Sequence, residues 1–140
     1  MNESEFNQCI ILIGFKKYKG VRVVSVNIKK IDNDFSIADQ VNATDIALIS
    51  AMGFRSIVCV RPDGEDKAQE LFEIVANSAT ISGVEPIYLP VHELEPTQKH
   101  VNVFARLFPK MARPILAYSK TGERAKALYV AYCNNAFSAG

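Results

Sequence analysis

The sequence predicts an α/β fold, a three-layer sandwich in which a mostly parallel central sheet is flanked by helices. Two observations carry that expectation. Short β-branched or apolar runs alternate with segments whose apolar residues recur at helical spacing, and the connections are short. Two of the runs, Ile57 to Val60 and Pro114 to Tyr118, are continuously apolar, the pattern of strands covered on both faces.

The elements follow in chain order. Residues 1–20 differ in texture from the rest and read as an N-terminal extension, with 21–140 as one domain. Met1 to Asn7 are acidic and polar, unlike the basic start of a secretory signal. The apolar run Cys9 to Phe15 is far shorter than the roughly 20 residues that span a bilayer. Lys16, Lys17, Tyr18, Lys19 and Gly20 form a polar joint.

Val21, Val23, Val24, Val26 and Ile28 predict a strand, Asp32 to Asp34 a turn, and Phe35 and Ile37 a second short strand. Asn42 suits a helix N-cap, with Asp45 in the first turn. Ile46, Ile49 and Met52 repeat at helical spacing up to Gly53. After the strand at Ile57 to Val60, Arg61-Pro62-Asp63-Gly64-Glu65 turns the chain. A helix is expected from about Asp66 to Ala76, with Leu71, Phe72 and Val75 inward.

Pro86 to Val91 predicts another strand, and Pro96 suits the first position of a third helix with a stripe of Val101, Phe104, Leu107 and Phe108. Pro114 to Tyr118 is the last strand. A final helix is expected from about Glu123 to Asn135, with Leu128, Ala131 and Tyr132 inside. Ligands of such sheets sit beyond the carboxyl ends of the strands. Two of those ends carry notable residues, Arg61 to Glu65 and Ser119 to Arg124.

A net charge of +1 leaves no basic field for nucleic acid, and nothing in the sequence reads as a membrane span. Cys9, Cys59 and Cys133 show no paired spacing, which fits a reducing, cytoplasmic compartment and argues against a metal site. Cys59 and Cys133 read as small core residues, and His92 and His100 as surface residues remote from any ligand cluster.

Strand, tight loop, helix is an arrangement that binds anions. Loop N–H groups point inward, and the helix N-terminus adds partial positive charge. In Ser119-Lys120-Thr121-Gly122-Glu123-Arg124, glycine lets the backbone turn, Thr121 offers a hydroxyl, and Arg124 can fold back with its planar fork on two phosphate oxygens. The bland alternative is a capped strand-to-helix turn with a solvated Arg124. Asp63 is a candidate general acid, an orienter of Arg124, or a turn aspartate bonding its own backbone. Arg61 either lines the anion site or pairs with Glu65. Glu93 is a second acid candidate by its place after the strand ending at Val91.

Tyr118 to Arg124, taken with Arg61 to Glu65, resembles the beta-lactamase-hydrolase-like phosphatase family, which is similar to cysteine-dependent protein tyrosine and dual-specificity phosphatases. Phe35 to Val41 and Met52 to Val58 carry the same resemblance, which covers roughly residues 24–136. It implies a tyrosine-phosphatase-like sandwich acting on a phosphorylated small molecule or phosphoprotein, without cofactor or metal. In the family a cysteine at the position of Ser119 attacks phosphorus. Water then hydrolyses the phosphocysteine. Loop amides and the arginine, here Arg124, hold the phosphoryl oxygens, and an acid protonates the leaving oxygen.

Serine departs from that pattern. A loop cysteine works because amides and helix dipole lower its pKa, so that it is a thiolate near neutral pH. A serine hydroxyl starts far less acidic and needs an adjacent base, and the loop offers cationic Lys120 and an outward Glu123. Binding is expected to survive and turnover to be lost or very slow, as in a pseudophosphatase, whether the serine is natural or introduced to trap substrate. Two competing readings are a rhodanese-like sulfurtransferase, which shares the four-residue gap between nucleophile position and arginine, and a non-catalytic interaction module of a larger protein.

Overall fold

The computed structural model describes residues 17–18, 21–22 and 26–139, with side chains from 26 to 135. The expectations on Cys9 to Phe15 and on Val23 and Val24 lie outside the described residues. Lys17–Tyr18 (β1) pairs antiparallel with Val21–Arg22 (β2).

The central sheet is built from Ile28–Asp32 (β3), Phe35–Ala38 (β4), Ser56–Cys59 (β5), Glu85–Tyr88 (β6) and Ile115–Tyr118 (β7). Their order is β3-β4-β7-β5-β6, with β3 antiparallel to β4 and every other pairing parallel. The helices are Ile46–Ala51 (α1), Phe72–Ile81 (α2), Gln98–Leu107 (α3) and Glu123–Ala139 (α4), with 3-10 turns at Ala43–Asp45 and Phe108–Lys110.

Strand alternation makes the three layers. Successive side chains point to opposite faces. Ile57 and Cys59 join Leu116 and Tyr118 in one core, beneath Ile46 and Ile49 of α1 and Val75 and Ala79 of α2. Val58 and Val60 join Ile115 and Ala117 in the other, beneath Val101 and Phe104 of α3 and Ala125 and Leu128 of α4. Both faces of β5 and β7 are therefore dry, which accounts for their unbroken apolar runs. Tyr129 of α4 stacks on Phe35 at 4.1 Å and donates to Asp32 Oδ2, tying α4 to the β3–β4 hairpin.

Several elements differ from the sequence expectation. The described part of β3 starts at Ile28, and Asp32 is its last residue, opposite Phe35, so the turn is Asn33 and Asp34. The helix expected at Asp66 begins instead at Phe72, because Asp63 Oδ1 accepts the Phe72 N–H at 2.8 Å and holds residues 64–71 as a loop. Leu71, expected inside, is exposed.

The strand expected to reach Val91 ends as regular structure at Tyr88, although Leu89 and Val91 still donate to Cys59 and Val60 carbonyls. Pro96 lies before α3, whose cap is Thr97 with its N–H on His100 Nδ1, so His100 is part of a cap. Leu107, Ala131 and Tyr132 are half-buried at the core's edge, and α4 runs past Asn135.

Candidate anion-binding site

The four parallel strands present their carboxyl ends on one side of the sheet. There β7 passes into residues 119–122 and then α4. The loop is fastened at both ends. Ser119 donates its N–H to the Ala38 carbonyl at 3.2 Å, and Lys126 makes a helical bond to the Gly122 carbonyl. Gly122 has φ +93°, and a Cβ there would stand 3.3 Å from the Ala38 oxygen, so both backbone conformation and space require glycine. Ser119 is fully buried, and its Oγ accepts the Gly122 N–H at 3.0 Å. Lys120, Thr121 and Glu123 are exposed, with the Thr121 hydroxyl facing the Glu123 N–H at 3.4 Å.

Arg124 is 9 % exposed and does fold back. Its Nη1 donates to Glu65 Oε2 at 2.7 Å and to the Val91 carbonyl at 2.8 Å, and its Nη2 to Glu65 Oε1 at 2.7 Å. A guanidinium has five N–H donors. Three are taken. The Nε–H and one Nη2–H have no partner among the described residues, and they share one edge of the plane. Arg124 is thus held by its far edge with a second bidentate edge unclaimed, the geometry that receives two oxygens of a tetrahedral anion.

The residue that holds Arg124 is Glu65, not Asp63. Asp63 takes the Phe72 N–H on Oδ1 and gives its own N–H to the Tyr88 hydroxyl, so it caps α2. Glu65 also takes Arg61 Nε on Oε1 at 3.0 Å, and Arg61 Nη1 reaches Gln40 Oε1 at 2.9 Å. The Arg124 hydrogen bonds, aided by Arg61, lower the Glu65 carboxyl from 4.5 to about 2. Sequence reasoning saw the Arg61–Glu65 pair at spacing four but missed the Glu65–Arg124 pair, whose partners are 59 residues apart.

Cys59 lies on the strand beside Ser119 but cannot stand in for a loop cysteine. Its thiol donates to the Arg61 carbonyl at 3.1 Å, and burial raises it to about 11, so it stays protonated. Burial likewise raises the adjacent Tyr118 phenol. His92 and Glu93 follow Val91 and are exposed. Among the described residues no three His, Cys, Asp or Glu side chains converge as a metal site, and no helix is long and apolar enough to cross a membrane.

Comparison with known proteins gives the family and the fold. The phosphatase-like domain of beta-lactamase hydrolase-like proteins matches residues 27–135. A beta-lactamase hydrolase-like protein of Agrobacterium fabrum is 32 % identical over 101 residues, which make up 72 % of this chain and 23 % of that protein. The chain spans about a quarter of the length of the curated relatives it matches. A solved structure of a proposed phosphatase from Neisseria meningitidis is 30 % identical with a TM-score of 0.66, covering 71 % of each chain. Tk-PTP in its active form, at 15 % identity and a TM-score of 0.58 over 78 % of this chain and 73 % of its own, shares the fold.

Proposed function

This chain belongs to the family of phosphatase-like domains of beta-lactamase hydrolase-like proteins, and we propose that it binds phosphate monoesters in the Ser119–Arg124 loop while hydrolysing them slowly or not at all. The domain would comprise 21–140, with 1–20 as an extension, working in the cytoplasm on a phosphorylated small molecule or phosphoprotein and needing no nucleic acid. The observation that carries the binding half is the unclaimed edge of Arg124, kept in place by Glu65 and the Val91 carbonyl.

The chemistry follows from the groups present. A phosphoryl group seated on the loop meets inward N–H groups, the amino end of α4 and the Arg124 edge, which together stabilise its negative oxygens. Lys120 and Thr121 would contribute backbone N–H groups to that cradle, and those of Gly122 and Glu123 would join once turned from Ser119 Oγ and Thr121 Oγ1 toward the anion. Ser119 stands at the nucleophile position. Its Oγ accepts from the Gly122 amide, and its hydroxyl meets no carboxylate or imidazole among the described residues. Without a base to take its proton, the hydroxyl attacks phosphorus poorly. This absence supports the reading of Ser119 as a substitution that silences a cysteine mechanism, leaving a pseudophosphatase.

For the proton that a leaving oxygen requires, Asp63 and Glu93 are the two carboxyls in question. Asp63 is engaged as the cap of α2, whereas Glu93 is exposed two residues after the carbonyl that holds Arg124. Glu93 is therefore the better placed acid for a cysteine-restored loop.

The binding half is tested by titrating inorganic phosphate into the protein and its Arg124→Ala variant by calorimetry. Saturable binding to the parent, weakened at least about tenfold in the variant, is expected for a charge-assisted fork. A parent that binds no phosphate at millimolar concentration would refute the reading.

A further inference from the structure

The loop reading leaves a second buried arginine unexplained. Arg61 is only 5 % exposed. It follows β5, and its partner Gln40 follows β4, while β7 runs between those two strands. Neighbouring strands are about 4.8 Å apart. The Arg61 Nη1–Gln40 Oε1 bond must therefore span the carboxyl end of β7, where Ser119 opens the loop. Arg61 lies as a strap across that end.

Its other attachment brings the two guanidinium groups together. Glu65 Oε1 receives both Arg61 Nε and Arg124 Nη2. One carboxylate thus serves two buried cations, leaving the centre one positive charge in excess before the amino end of α4 is added. Arg61 also keeps three N–H donors, two on Nη2 and one on Nη1, with no partner among the described residues. No Arg61 nitrogen is a buried atom without a partner, so its Nη2 group reaches solvent and is open to an incoming acceptor.

On the premise that the loop seats a phosphoryl group, we infer that Arg61 is a second guanidinium ligand of that group and that the pair selects a dianionic head over a monoanionic one. Arg124 supplies its free edge from the helix side, and Arg61 supplies its Nη2 amino group from the strap.

The experiment compares sulfate, a dianion, with methanesulfonate, a monoanion with a similar tetrahedral head. Each is titrated calorimetrically into the parent protein, Arg61→Met and Arg61→Lys. The parent is expected to prefer sulfate by about tenfold or more. Arg61→Met is expected to lose about tenfold or more on sulfate but less than about threefold on methanesulfonate, so the preference collapses; Arg61→Lys, which keeps the charge, retains most of it. A parallel loss on both anions, or no loss, would make Arg61 a positioning residue only and overturn the inference. If the parent binds neither anion, the loop reading itself falls and takes this one with it. A measurement without variants covers failure of Arg61→Met to fold: sulfate added to protein labelled with nitrogen-15 in arginine is expected to shift two buried side-chain Nε signals, and a single shifted signal would contradict the two-arginine site.

Discussion

Replacing Glu65 by glutamine removes the charge that holds Arg61 and Arg124 together while preserving size. The native carboxyl sits at about 2 instead of 4.5. At 1.36 kcal/mol per tenfold, that displacement sets a ceiling of about 3 kcal/mol on the differential stabilisation. The Glu65 side chain keeps 27 % of its surface in water, so solvent screening reduces the stabilisation to about 1–2 kcal/mol. The sign follows from the depressed value. The contribution is fully present above pH 4.5 and is lost as pH falls toward 2. Urea unfolding of parent and Glu65→Gln at a series of pH values reads this directly. The variant is expected to be less stable by about 1–2 kcal/mol at pH 7, with the gap narrowing below pH 4 as the parent's carboxyl protonates. A gap that stays constant down to pH 2, or no gap at pH 7, would refute the assignment of Glu65 as the ionised anchor.

Three further outcomes can be checked. Gly122→Ala forces a side chain into φ +93° against the Ala38 carbonyl, and is expected to cost about 2–3 kcal/mol in thermal or urea unfolding and to weaken phosphate binding. Asp63→Ala removes the cap of α2 and should lower stability by about 1 kcal/mol. In a Ser119→Cys background it is expected to leave alkyl phosphate turnover within about threefold, whereas Glu93→Gln should lower it about a hundredfold, with steady-state kinetics deciding. Cys59, protonated and buried, should resist alkylation in the native protein at pH 8 and react only on unfolding, as mass spectrometry would record.

The fold was legible where local pattern and burial agree. Ile57 to Val60 and Ile115 to Tyr118 are apolar throughout because both faces of β5 and β7 are covered, and a reader of sequence sees that directly. The turn at Gly53 and the loop around Gly122 announce themselves because only glycine suits those positive φ angles. The start of α2 was misplaced because its cap comes from Asp63, nine residues upstream of Phe72, and no local spacing encodes so distant a hydrogen bond.

The site was half legible for the same reason. Ser119, Gly122 and Arg124 sit in one short segment between strand and helix, so their association is written in the chain. The fastening of Arg124 by Glu65 and the Val91 carbonyl, and the reach of Arg61 to Gln40, arise only when the sheet order sets β7 between β4 and β5. Turn composition drew attention to Asp63, whereas the carboxylate that holds Arg124 is Glu65, two residues further on.

The most direct measurement is hydrolysis of an aryl phosphate by the parent, Arg124→Ala, Ser119→Cys, and Ser119→Cys combined with Arg124→Ala. A loop that is intact but silenced by serine gives no turnover in the parent, clear turnover in Ser119→Cys, and its loss in the combined variant. Turnover by the parent that Arg124→Ala abolishes would show a working serine mechanism and contradict the claim that Ser119 silences the loop. Inactivity of Ser119→Cys would reduce the resemblance to one of fold.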